Sequence, residues 1–84
     1  MNTVQKGRIV MSAAGHDAGL YFAVLHDDGK FLYLANGKER KLQSPKKKNK
    51  RHVKLTVRIL PDTMIESDKR LRKALSAFEA EGGA

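Results

Sequence analysis

The side chains best able to bind an anion lie in one segment of the chain. Nine of the 17 lysine and arginine residues fall between residues 36 and 54, together with a single acid, Glu39. These nine bases are Lys38, Arg40, Lys41, Lys46, Lys47, Lys48, Lys50, Arg51 and Lys54. Elsewhere eight bases face eight acids, so the formal charge of +8 arises from this segment alone. Such a concentration predicts a polyanionic partner, nucleic acid before an acidic membrane surface.

Residues 44–50 hold the densest part of this basic segment. A turn signal, Ser44-Pro45, is followed by a lysine-rich run without apolar side chains, which predicts a mobile, solvated loop. Lysine supplies charge without direction, whereas Arg51 can fork onto one phosphate or stack on a base. We therefore predict that the nine bases and the neighbouring His52 contact phosphates. The alternative is a solvated charge run that holds no ligand.

A second candidate region is the glycine-bearing run at residues 7–25. It reads Gly7-Arg8, an apolar stretch, Ala14-Gly15, the polar pair His16-Asp17, Ala18-Gly19 and a second apolar stretch. Gly15 and Gly19 permit backbone conformations closed to other residues and allow a ligand backbone to approach closely. The alternative for Gly19 is a tight turn without any contact to a ligand. For Asp17 we predict hydrogen bonds to the amides of its own loop rather than to RNA.

This run resembles the KOW motif, a strand, a glycine-bearing loop and a second strand found in several ribosomal proteins and transcription factors. The large-subunit ribosomal protein fourteen type of archaea and eukaryotes, with its small bacterial relatives, is the most similar in that family. The resemblance covers residues 6–55 and implies an SH3-like barrel that binds ribosomal or other structured RNA. Ala18 and Leu20 depart from it, since many members carry bases there.

Residue by residue, the resemblance implies RNA-contacting roles in the loop. Gly19 matches the characteristic glycine of the motif, and Arg8 follows Gly7 at its start. Gly15 and His16 match its loop. Because the bases before and after Gly19 are missing, most of the attraction for RNA is expected from the segment between residues 38 and 54.

Short apolar runs separated by turn signals predict an antiparallel meander. Asp28-Gly29 and Asn36-Gly37 are dipeptides typical of tight hairpins. The predicted strands lie at residues 9–11, 20–25, 31–34, 38–43 and 52–60. In the last of them Val53, Leu55, Val57 and Ile59 alternate with polar residues. Five such strands bury their apolar faces most economically in a small, strongly bent barrel.

The end of the chain has helical periodicity instead. Ser67 is a good N-cap, and a stripe with i, i+3, i+4, i+7 spacing follows, formed by Leu71, Ala74, Leu75 and Phe78. Gly82-Gly83 ends the pattern. The sequence therefore predicts a mainly β fold, with a five-stranded SH3-like KOW barrel at residues 1–62 and a helical tail at residues 63–84.

The chain has two tyrosines, three phenylalanines and no tryptophan, and each of these aromatic residues can be assigned to the surface or to the core. Tyr21 and Tyr33 are candidate base-stacking platforms if their rings face outward, although aromatic residues in small barrels usually belong to the core. The phenylalanines at 22, 31 and 78 are expected in the core.

Several classes of chemistry lack support in the sequence. The chain has no cysteine, and its three histidines, His16, His26 and His52, lack metal-ligand spacing, so no metal or cofactor is expected. No serine can be paired with a histidine and an aspartate from the sequence, so we expect neither an enzyme nor a small-molecule substrate. No apolar run is long enough to span a bilayer, and no signal peptide is recognised, which favours the cytoplasm and no membrane partner.

The leading functional prediction is a non-catalytic RNA-binding protein, ribosomal or ribosome-associated. The rival is a protein-interaction module that docks a transcription or translation factor through the helix stripe of Leu71, Leu75 and Phe78.

Overall fold

Five antiparallel strands and one α-helix make up the fold of this computed structural model, which describes residues 3–83. The strands are β1 (Arg8–Ser12), β2 (Tyr21–Asp27), β3 (Phe31–Ala35), β4 (Lys46–Asn49) and β5 (Val53–Ile59). They form one sheet in the order β4-β3-β2-β1-β5. Short 3-10 helices cover Lys50–His52 and Asp62–Ile65, and α1 covers Asp68–Ala80. The predicted mainly β class with a short C-terminal helix is confirmed, and the strand order is consistent with a small SH3-like barrel.

The sheet separates two hydrophobic clusters. The inner cluster lies on one side of the sheet and consists of Val10, Phe22, Val24, Leu32 and Leu34. The outer cluster joins the opposite side of the sheet to the helix through Ile9, Ala23, Ala35, Leu60, Ile65, Leu71, Leu75 and Phe78. Strand alternation explains the division, because neighbouring residues such as Ile9 and Val10 point to opposite faces. The second 3-10 helix, Asp62–Ile65, crosses the predicted boundary at residue 62, and the helix shares its core with the sheet.

The helix forms where the sequence predicts it. Ser67 adopts extended backbone and its hydroxyl accepts a hydrogen bond from the Arg70 N–H at 3.2 Å, which caps the first turn. Leu71, Leu75 and Phe78 are buried against the sheet. The stripe considered as a docking surface for another protein is therefore covered by the chain itself.

The fourth strand lies elsewhere than predicted. Residues 38–43 form no strand, because the Asn36 side chain accepts hydrogen bonds from the N–H groups of Lys38 and Arg40 and folds the chain into a compact turn. Leu42 follows, partly buried against the outer cluster, and its N–H donates to the Asp68 carboxylate. The strand that pairs with β3 is the lysine run itself, β4.

The apolar alternation of β5 is only partly buried. Val53 packs on the inner cluster, but Leu55 and Val57 are 53% and 86% exposed. The ladder between β1 and β5 shifts register between Arg8 and Val10, and β1 is the only strand paired with β5 among the described residues. The expectation that the apolar face of β5 is buried is therefore wrong beyond Val53. Because β5 is an edge strand and its register shifts, the apolar residues of β5 after Val53 do not belong to the inner cluster.

Candidate nucleic-acid interface

The lysines of β4 point alternately to the two faces of the sheet, as neighbouring residues of a strand do. Lys46 and Lys48 lie opposite Leu34 and Leu32 of β3, which belong to the inner cluster. Directly opposed residues of an antiparallel pair share one face of the sheet, so both lysines point inward. Lys48 is 8% exposed. Lys47 has the opposite orientation and is exposed.

Asp17, from the loop between β1 and β2, receives the two inward lysines. Its carboxylate oxygens lie 2.7 Å from Lys46 Nζ and 3.0 Å from Lys48 Nζ. The Ser12 hydroxyl donates to the same carboxylate at 2.7 Å, and Lys48 Nζ also donates to the Ala14 carbonyl at 2.8 Å. Burial raises the pKa of Asp17, but the hydrogen bonds from Lys46, Ser12 and Lys48 outweigh it and hold that pKa well below its usual range. The cluster therefore fastens the loop to β4 as an ionised network.

A second aspartate with a buried side chain, Asp27, forms an ion pair with Lys50. Asp27 is 2% exposed at its side chain and lies 2.7 Å from Lys50 Nζ. The N–H groups of Val4 and Gly29 donate to the same carboxylate. Burial raises the pKa of Asp27, whereas the bonds from Lys50, Val4 and Gly29 lower it, with a net value of about 2. This network ties Val4 and the hairpin between β2 and β3 to Lys50, the residue that follows β4.

These contacts correct two predictions. Residues 46–49 are a strand and not a mobile loop, and Asp17 bonds a hydroxyl and two lysines instead of the amides of its own loop. Lys46, Lys48 and Lys50 are ion-paired, so a phosphate would compete with carboxylates 2.7 to 3.0 Å away. Their role as phosphate ligands stays a prediction. Because position 47 is also a lysine, the run has no alternation of residue type that could have predicted a strand with one charged inner face.

Six bases of the segment remain directed to solvent. All six are exposed, and none forms an ion pair with a residue in the range 3–83 that the structure describes. They are Lys38, Arg40, Lys41, Lys47, Arg51 and Lys54. The first three lie in the turn after β3, Lys47 on the outer side of β4, and the last two around the start of β5.

The glycine-bearing loop between β1 and β2 lies next to the segment that carries Arg51 and Lys54. The Ala13 N–H donates to the His52 carbonyl at 2.8 Å, which places the loop beside the first 3-10 helix. Gly15, His16 and Gly19 are exposed, as is His52. Gly19 has φ of 92°, and no atom lies within 4 Å of the position a Cβ would take. The turn therefore needs glycine for its backbone conformation while leaving open space above it.

The start of the motif is structural. A Cβ on Gly7, whose φ is also 92°, would collide with the carbonyl oxygen of Leu60. Arg8 is partly buried, and its guanidinium donates to the Thr56 carbonyl at 2.9 Å, which braces β1 against β5. These contacts account for both residues without a ligand, and the predicted RNA contact of Arg8 stays a prediction.

The aromatic side chains divide between core and surface. Phe22 and Phe78 are buried as predicted. Tyr21 packs on the outer cluster, with its ring 5.2 Å from that of Phe78 in an edge-on arrangement. The prediction of a core position is wrong for Phe31, which is only partly buried and belongs to neither cluster. Tyr33 likewise lies outside both clusters.

No protein-family model matches the chain, and no curated protein is significantly similar to it. Within residues 3–83 there is no group of three side chains that could hold a metal ion. None of the helices in that range has the length and apolar character needed to cross a membrane.

Proposed function

We propose that this protein is a non-catalytic RNA-binding protein of the cytoplasm that binds ribosomal RNA as a ribosomal or ribosome-associated protein. The observation that carries the proposal is a set of six exposed bases that form no ion pair with any of the residues 3–83: Lys38, Arg40, Lys41, Lys47, Arg51 and Lys54. Exposed bases without acidic partners are the electrostatic footprint expected for a phosphate backbone. The resemblance of residues 7–25 to the KOW motif supports RNA, and ribosomal RNA in particular, over other polyanions.

Two groups of bases would bind along one RNA. Arg51 and Lys54 flank the glycine-bearing loop, where the open space above Gly19 lets a sugar-phosphate backbone approach the main chain. The turn after β3 contributes Lys38, Arg40 and Lys41. Lysines dominate over side chains that read base edges, so shape and charge should outweigh sequence in recognition. The barrel acts as a rigid scaffold, because the ion pairs of Asp17 and Asp27 hold the loop and the hairpin in place.

The experiment that tests this function is binding of the purified protein to ribosomal RNA fragments across a range of salt concentrations. If about five phosphates are neutralised, raising salt from about 50 to about 200 mM should weaken binding by roughly two to three orders of magnitude. Ultraviolet crosslinking in cells, followed by sequencing of the bound RNA, identifies the target. Failure to recover ribosomal RNA or ribosomal particles would contradict the ribosomal part, and absence of binding to any RNA would contradict the whole proposal.

A second candidate function, a protein-interaction module, is favoured by β5. Leu55 and Val57 are largely exposed there, and the outer edge of β5 is unpaired among the described residues. Exposed apolar side chains at an open edge are suited to an added strand from another protein. Nuclease treatment separates the two functions, because a translation or transcription factor that stays bound after RNase digestion favours this one.

A further inference from the structure

The outer side of β3 carries a row of side chains that crosses three strands. Tyr33 lies opposite His26 of β2 and opposite Lys47 of β4. Phe31 is two residues from Tyr33 and therefore points to the same side of the sheet. Neither aromatic residue belongs to the cluster that α1 covers. This part of the sheet thus presents two rings that are partly accessible to solvent.

Tyr33 is held in place from two directions. Its hydroxyl donates to the Asp28 carboxylate at 3.1 Å, and its ring centroid lies 5.7 Å from that of His26. Asp28 is itself fixed, since it accepts hydrogen bonds from the N–H groups of Lys30 and Phe31. A ring positioned by its neighbours loses little conformational entropy when a ligand stacks on it.

Cations accompany the rings. Lys47 Nζ lies 4.5 Å from the centroid of the Phe31 ring, and Lys30 Nζ lies 5.5 Å from it. Both lysines are exposed, and neither forms an ion pair with a described residue. The surface therefore alternates aromatic and cationic groups, which complements the alternation of bases and phosphates along a single RNA strand.

We propose that the outer face of β3 is a stacking platform for unpaired nucleotides of RNA, with bases on Tyr33 and Phe31 and flanking phosphates on Lys30 and Lys47. This inference rests on the proposed RNA-binding function and adds to it a preference for single-stranded segments. Bases inside a duplex are stacked on each other and cannot reach the rings, whereas loops and bulges offer free faces.

Tyr21 provides an internal reference for this proposal. It lies in the same sheet, but its ring packs edge-on against Phe78 and its hydroxyl end lies beside Gly83. Both tyrosines are half-buried, but the Tyr21 ring packs on the outer cluster, whereas the Tyr33 ring belongs to neither cluster. The chain has two tyrosines and no tryptophan, so Tyr21→Phe leaves Tyr33 as the only tyrosine fluorophore, and Tyr33→Phe leaves Tyr21.

The test is fluorescence titration of both variants with oligouridylate and with an RNA duplex of equal length. Stacking should quench the emission of Tyr33 in Tyr21→Phe when single-stranded RNA binds, and the duplex should quench it much less. The emission of Tyr21 in Tyr33→Phe should change little with either RNA. Tyr33→Phe should retain its affinity for oligouridylate, because it keeps the ring.

Affinity measurements complete the test. Tyr33→Leu should weaken oligouridylate binding about tenfold or more, as expected for loss of one stacked base, while the dependence on salt and the affinity for the duplex stay unchanged. Circular dichroism checks that Tyr33→Leu is folded. If it is not, the quenching of Tyr33 in the Tyr21→Phe titration tests the stacking platform instead. RNA binding without quenching of Tyr33 would overturn the stacking platform and leave the RNA-binding function standing. Absence of binding to either RNA would overturn both.

Discussion

Lys47 and Lys48 are neighbours in β4 with the same chemistry and different roles. Lys48 is 8% exposed and bound to Asp17, whereas Lys47 is exposed and lies over the Phe31 ring. Strand alternation sends the first into the protein and the second out of it. Residues 46–54 thus contain an inward set, Lys46, Lys48 and Lys50, and an outward set, Lys47, Arg51 and Lys54. Charge density along the sequence counts both sets equally, but only the outward set is free to meet a polyanion.

Burial explains why the inward set needs aspartates. An ammonium removed from water costs several kcal/mol unless a counter-charge and hydrogen bonds replace its hydration. Asp17 supplies a counter-charge from the loop between β1 and β2, and Asp27 supplies the other from the last position of β2. The lysine run consequently determines the positions of the loops that surround it, and the two sets can be separated by mutation.

The largest effect is expected from Asp17→Asn. The free energy of unfolding should fall by about 3 kcal/mol, because Lys48 keeps its buried charge and loses its counter-ion. Urea denaturation measures this. Adding Lys48→Met should restore part of the loss, since the double variant buries no lone charge at this position.

Lys47→Met is the matched control for that experiment. It makes the same chemical change one residue away on the outward side, so the free energy of unfolding should shift by about 0.5 kcal/mol or less. Equal losses from Lys47→Met and Lys48→Met would contradict the division into inward and outward sets.

The next effect concerns acid stability through Asp27. Its pKa falls from 3.8 to about 2 on folding, so the ionised carboxylate stabilises the fold above about pH 4, and this contribution disappears as the pH drops through 2. The difference corresponds to roughly 2 kcal/mol. Chemical denaturation at several pH values should show this loss in the wild type and a weaker pH dependence in Asp27→Asn. Identical pH profiles would rule out the Lys50 pair as a stabilising contact.

The outward set is tested by RNA affinity. Replacing Lys47, Arg51 and Lys54 together with Gln should weaken binding to ribosomal RNA about tenfold and reduce the salt slope by about 2, while unfolding stays almost unchanged. A charge-matched control replaces the exposed Lys6, Lys69 and Lys73 with Gln. If both triple variants lose the same affinity, net charge and not this surface governs binding.

The smallest effect is expected where the alternation ends, at Asn49. Its side chain accepts a hydrogen bond from the Arg51 N–H at 2.9 Å and begins the 3-10 helix that presents Arg51 to solvent. Asn49→Ala should cost about 1 kcal/mol of unfolding free energy, with a slight loss of RNA affinity. Asn49→Asp keeps the acceptor and should retain the stability. A stability loss as large for Asn49→Asp as for Asn49→Ala would show that this hydrogen bond is unimportant.

The sequence predicted correctly those secondary-structure elements that depend on nearby residues, such as a helix cap, an apolar spacing or a turn dipeptide. The helix follows from the Ser67 cap and from the spacing of Leu71, Leu75 and Phe78, and β1 to β3 follow from apolar runs between turns. The fourth strand was misplaced because Asn36-Gly37 resembles a hairpin turn, whereas the Asn36 side chain closes a compact turn there. The lysines of β4 gave no apolar signal, and because positions 46, 47 and 48 are all lysine the run shows no alternation either.

The candidate site was predictable in composition and not in geometry. The sequence located all of the excess charge between residues 36 and 54. It could not pair Lys48 with Asp17, 31 positions away, because such contacts depend on which strands become neighbours. The exposure of Phe31 was missed for the same reason, since the helix covers one part of the outer face and leaves another open.

The sequence alone determined four of the five strands, the helix, the basic segment and the glycine-bearing loop, because these depend on residue type and short-range spacing. Only the tertiary structure decided which bases are neutralised and which remain exposed. Pairing β4 with β3 turned every second lysine toward buried carboxylates, since an ammonium on the inner face cannot stay uncompensated. Whether a charge stabilises the fold or faces a partner is a property of burial, which long-range packing sets.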